Sequence, residues 1–170
     1  MLTWLFNRSD SRRRASELYG AVVTFARRPG LYAAIGIADS PEGRYEALVL
    51  HLFLVLERLR ADPRLGPPSQ ALIEAFVTDM DDNMREMGVG DLTVPKKVKK
   101  AAGAFYDRAE AYRAALASED PSELTTVLAR LIPAAETGLD AEGLAADVRR
   151  QTHSLAATPV ERVLSGQLPS

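Results

Sequence analysis

The sequence predicts an all-α single domain, a bundle of about five to six helices. Three observations carry this. No segment alternates apolar and polar residues long enough to suggest a sheet, and Ala and Leu abound, with apolar residues recurring at helical spacing. Breaks rich in Pro and Gly divide the chain at intervals that suit helices. The length, 170 residues, is about one domain. A chain of that size buries roughly 70% of the surface its unfolded form exposes, so it needs no staples.

The elements follow in order. Residues 1–14 read as a flexible basic segment. Met1 to Phe6 is apolar and holds the single Trp, and Arg8 and Arg12 to Arg14 follow it. The apolar part is too short for a signal peptide, and its charges come after it rather than before. It packs loosely or serves as a weak foot on a membrane surface. Ser11 to about Arg28 is the first helix, with Leu18, Tyr19, Val22, Val23 and Ala26 at helical spacing, and Pro29 and Gly30 stop it. Leu31 to Gly43 is irregular and ends in turn chemistry from Asp39 onward. The second helix runs from Glu42 or Gly43 to about Arg60, and its centre, Leu48 to Leu56, is apolar nearly all round. Such a helix belongs in the middle of a bundle.

Pro63, Gly66, Pro67 and Pro68 read as a connection. The third helix spans about Ser69 to Met87, with Ile73, Phe76, Val77, Met80, Met84 and Met87 in one apolar stripe. Gly88 and Gly90 end it, offering left-handed C-cap geometry. The fourth starts near Pro95, a residue suited to a first helical position, and runs to about Ala117. A short helix follows from Asp120 to about Ile132, and another near 141–157. The domain is expected over 15–160, with 161–170 as a frayed tail.

Composition excludes several functions. The chain has no cysteine, so disulfide scaffolds, Cys-ligated zinc, Fe–S clusters and thiol catalysis are out. No apolar run reaches the ~18 to 20 residues of a membrane span. The net charge of −2 argues against a DNA-binding protein.

That total conceals blocks. The net charge is +3 over residues 1–60, −5 over 61–93, +4 over 94–118 and −4 over 119–170. Seventeen of the 21 cations are Arg, and the only four lysines are Lys96, Lys97, Lys99 and Lys100. They fall at the start of a helix, where the macrodipole makes cations unfavourable by roughly 0.3 to 1 kcal/mol each. Local helix stability does not account for them. They form a solvated face, or they meet an anion: the acidic block at 79–91, ribosomal RNA, lipid headgroups or an acidic protein.

No catalytic centre emerges. Asp79 to Asn83 resembles the start of an EF-hand loop, but its sixth position is Met84 and its twelfth Gly90. His51 and His153 lack the Glu three residues earlier that a di-metal bundle uses. The glycines at 88 and 90 do not make a phosphate loop. His51, inside the apolar helix, reads as a hydrogen-bonded core histidine. Neither metal nor cofactor is expected. The methionine stripe at 80, 84 and 87 is ordinary core or an adaptable apolar surface. Asp81 and Arg85 can pair at i,i+4, and Asp91 can cap the following turn. The charge distribution points to a partner-binding surface over residues 79–100.

Several stretches carry a family resemblance: Leu18-Tyr19 with Ala26-Arg27, the turn from Asp39 through Gly43, Arg44, Tyr45 and Glu46, and Val49 to His51. The most specific is Asp79-Met80-Asp81 with Met84 through Leu92, followed by Val94-Pro95-Lys96-Lys97. With Phe105, Tyr106 and Tyr112, these resemble the ubiquinol–cytochrome c chaperone family over about residues 16–118. Asp107-Arg108 stands where that family usually has Gly-Arg. Arg-rich, Lys-poor usage looks like a bacterial member.

The resemblance implies an assembly factor rather than an enzyme. It would hold newly made cytochrome b during assembly of respiratory complex III, on the cytoplasmic side of the inner membrane. It implies contact with the ribosome and a small assembly partner protein; an anionic membrane surface is a candidate partner from the N-terminal segment and the lysines alone. On this reading Met80, Met84 and Met87 line a client groove, Lys96, Lys97, Lys99 and Lys100 form its rim, and Arg85 and Asp91 lie beside it. Arg44, His51, Asp79, Asp81, Gly88, Gly90 and Pro95 serve as structural or motif positions. The alternative is a helical protein-interaction adaptor with no client-chaperone role.

Overall fold

The helix spanning Pro41–Arg60 (α3) organises the structure, because almost every side chain from Glu46 to Val55 is buried. A computed structural model describes residues 8–169. It places α3 among α1 (Arg8–Ala26), α4 (Gly66–Glu86), α5 (Val94–Ala117) and α7 (Ala141–Ala157). Two five-residue helices, α2 (Pro29–Ala33) and α8 (Val160–Leu164), and the ten-residue α6 (Ser122–Leu131) complete the order. The described residues contain no strand; Ile37 and Ala134 form an isolated antiparallel bridge.

Local chemistry explains the boundaries. The Ser40 side chain accepts from Gly43 N at 3.1 Å and Pro41 opens α3, so one orphan donor is capped and one removed. Asp140 caps α7 in the same way, accepting from Gly143 N at 2.9 Å. The apolar all-round character of α3 gives it a core on every side. Phe53 meets Tyr112 of α5 with ring centroids 5.5 Å apart, and Phe76 of α4 meets Phe105 of α5 at 5.6 Å. Each such buried ring or Leu contributes roughly 1.5 to 3 kcal/mol.

Three expectations need correction. The stretch 66–68 is not a connection. Only Pro63–Leu65 forms a 3₁₀ turn, and Pro67 and Pro68 lie in the first turn of α4, where a missing N–H costs nothing. The basic stretch 8–14 is the start of α1, tied by Arg13 to Asp10 and Glu17, while residues 1–7 lie outside the described residues. Residues 161–170 do not simply fray. Val163 of α8 is fully buried, and Leu168 packs against the core.

The irregular stretch after α2 crosses the loop between α6 and α7. Ala38 N donates to Pro133 O, Ala135 N to Gly36 O and Asp140 N to Ile35 O, each at 2.8 Å. Gly36 sits at φ 84°, and a Cβ there would stand 2.0 Å from Gly138 O. Arg58 closes the end of α7, its guanidinium donating to Leu155 O at 2.8 Å and Thr158 O at 3.1 Å.

Candidate functional site

The turn between α4 and α5 is shaped by its sequence. Gly88 takes a left-handed φ of 81°, Gly88 N donates to Arg85 O and Val89 N to Met84 O, both at 3.0 Å. This is the paired bond pattern of a glycine-closed helix end. Gly90 does not share the left-handed conformation. Asp91 does not cap the next helix. It pairs with Arg85, which also donates to Asp81 at 2.6 Å, so Arg85 fastens the turn back onto α4. Thr93 precedes α5 without a side-chain cap, and Pro95 lies in its first turn.

Above this turn the structure opens a groove of about 690 Å³. Its floor includes Phe76, Met80 and Met84 of α4, Tyr45 and Leu48 of α3, and Ala101 and Ala104 of α5. The methionine stripe runs from core to solvent: Met80 is buried, Met84 half-buried and Met87 75% exposed. Arg27 just after α1, Arg44 of α3, and Lys97 and Lys100 of α5 stand around the opening. Small side chains at 101 and 104 leave the space, because larger ones on that face of α5 would fill it.

The four lysines have no carboxylate within 4.0 Å among the described residues. Three carboxylates of the acidic block are occupied elsewhere, while Asp82 and Glu86 stand exposed. Arg85 holds Asp81 and Asp91, and the Tyr19 hydroxyl donates to Asp79 at 2.7 Å. Burial and the neighbouring Asp79 push the Tyr19 hydroxyl up, so it keeps its proton and stays a donor. Internal pairing with residues 79–91 therefore does not account for the lysine cluster. With 3.6 residues per turn, all four fall within a sector of about 160°. Val98, buried, lies on the opposite side. Lys97 and Lys100 line the groove, and Lys96 and Lys99 are exposed outside it.

The other named positions divide. Arg44 pairs with Asp39 at 2.7 Å and borders the groove. His51 faces away from it, buried, with Nδ1 2.7 Å from Ala47 O and Nε2 3.3 Å from the Arg28 guanidinium. Arg28 reaches Asp147 of α7 at 3.2 Å, and Arg150 pairs with the same carboxylate. Burial holds the His51 imidazole down at about 4, so it is neutral at ordinary pH. No group of three or more His, Asp or Glu among the described residues is placed to hold a metal. No described helix is long and apolar enough to cross a membrane.

Sequence reasoning missed half of the groove. The walls from α1, the turn after it and α3, namely Val23, Ala26, Arg27, Tyr45 and Leu48, lie some 30 to 60 residues from the methionines. The available signal was the apolar surplus of α3, which exceeds what one neighbour can cover.

No curated protein matches the chain. A solved structure does: the Cbp3 homolog from Brucella abortus shares 37% identity and a TM-score of 0.81, covering 99% of this chain and 95% of its own. The family described as ubiquinol–cytochrome C chaperone matches residues 33–169, extending the resemblance through the C-terminal third. A match over most of the length, together with a bacterial relative of the same fold, supports one conclusion: the chain belongs to the ubiquinol–cytochrome c chaperone family.

Proposed function

We propose that this protein holds newly made cytochrome b of respiratory complex III at the cytoplasmic face of the membrane until the client is inserted. The observation that carries the reading is the groove: an apolar, methionine-floored channel open to solvent on a chain of this family. A membrane-bound client exposes apolar helices before insertion. A groove accepts such a helix by its apolar face, through anchors at i, i+3 or i+4 and i+7. Methionine suits this work because its unbranched thioether chain adopts many shapes, so one floor fits several successive helices of the client. Binding through flexible side chains also stays weak enough to release.

The test is photocrosslinking in cells that make cytochrome b, with the reactive group placed at Met84 or at Lys97. The expected result is an adduct with cytochrome b from both positions, strongest from 84. Absence of that adduct at both positions, with the variants folded, rejects the reading.

A further inference from the structure

We infer that the tip of the α4–α5 hairpin is a docking element for an anionic bilayer, with Met87 and Leu92 entering the interface and the four lysines meeting lipid phosphates. Three observations converge. Leu92 is 98% exposed and Met87 75%, the two large apolar side chains that the turn thrusts into water. Lys96, Lys97, Lys99 and Lys100 follow at once on a single sector of α5, none with a carboxylate partner among the described residues. Asp91, the carboxylate beside Leu92, pairs with Arg85, which it shares with Asp81, so the three together set one net negative charge against the four lysines. Glu86 is exposed on the α4 side and remains a modest opposing charge.

Apolar tips flanked by lysines are what an anionic bilayer recognises: aliphatic groups bury at the headgroup boundary and each nearby lysine adds electrostatic attraction. RNA is a poorer fit. Proteins that hold single strands combine their cations with aromatic platforms for the bases. Residues 84–100 contain no Phe, Tyr or Trp, and their only arginine is engaged with two aspartates. The inference rests on the client-holding reading only for its purpose: docking at this tip carries the mouth of the groove, which Met87, Lys97 and Lys100 also line, to the bilayer where the client goes.

The experiment uses the full chain and client-free vesicles, so its outcome is separate from that of the crosslinking. Because the chain has no cysteine, Leu92→Cys carries a single environment-sensitive fluorophore, and Glu119→Cys in the exposed α5–α6 loop serves as control. Vesicles of phosphatidylcholine with one part in three phosphatidylglycerol are compared with phosphatidylcholine alone. The expected result is a blue shift at 92 with the anionic vesicles only, and none at 119. Changing all four lysines to Gln should weaken vesicle binding, by about 5-fold per lysine and more than 100-fold together. That variant removes cations from a helix start, so it keeps its fold. A label at 92 that stays in water on bound protein, a loss under about 10-fold in the lysine variant, or tighter binding to a single-stranded RNA than to the vesicles overturns the inference.

Discussion

Two glycine turns in this molecule share a left-handed backbone and nothing else. Gly36 is buried, its carbonyl accepts from Ala135 N, and the chain from α6 to α7 passes so close that a Cβ would strike Gly138 O. Gly88 is exposed, and a Cβ there would meet nothing within 4 Å. At Gly36 the missing side chain lets two backbones touch; at Gly88 it only lets the chain reverse. The first turn locks the irregular stretch to the C-terminal helices. The second displays Met87 and Leu92 to solvent. Holding the fold and presenting a surface have been assigned to different turns.

The sharpest way to break the contrast is substitution at the two glycines. Gly36→Ala combines an unfavourable φ with a backbone collision, and should cost about 4 kcal/mol, enough to lose the cooperative thermal transition at 37 °C. A melt within a few degrees of the native one would show that the crossing yields easily. His51, buried beside Phe25 and Arg28, provides the next largest effect. Burial holds its pKa at about 4 in the folded chain, against the ordinary 6.5 when unfolded. The unfolded state therefore binds the extra proton first, so stability is full above about pH 6.5 and falls as pH drops toward 4, by at most about 3 kcal/mol. Denaturant midpoints measured across that window should slope downward with acid. The slope should flatten in His51→Gln, and an unchanged slope there would assign it to other groups. Gly88→Ala is the smallest: strain alone, about 1 kcal/mol, with the groove otherwise intact. A loss as large as at Gly36 would erase the distinction between the turns.

Much of this architecture was legible because its signals are local. Gly88 and Pro95 mark helix ends through their own backbone constraints, and Leu48 to Leu56 announces a central helix by lacking a polar face. What escaped was the part that depends on contacts across the chain. Pro67 and Pro68 read as a break because a proline pair opens a linker as readily as a helix. Val163 lies in a helix too short for periodicity to register, yet it is buried against the bundle. Asp91 looked like a cap, but Arg85 six residues earlier was the stronger partner. The lysines and methionines could be found one by one. Their meeting with Arg27, Tyr45 and Leu48 around one cavity could not, since the apolar surplus of α3 announces neighbours without saying which helix supplies them.

The attachment of α5 is uneven along its length. Arg108 donates to Glu46 through Nε at 2.6 Å, and Arg113 donates to Glu57 at 2.5 and 3.0 Å, so two charged clasps bind its second half to α3. Toward its start the helix is held by apolar packing at Val94, Val98 and Phe105, with no ion pair from its lysines among the described residues. The second half is thus pinned by charge, and the first by the fit of its apolar side chains and by the turn that Arg85 fastens. Lys97 lies eleven residues from Arg108, about 16 Å along the axis, so a tilt of about 4° at that clasp moves Lys97 by about 1 Å. A change in the packing of Val94 or Val98 would therefore register at the groove wall before it reached the two clasps.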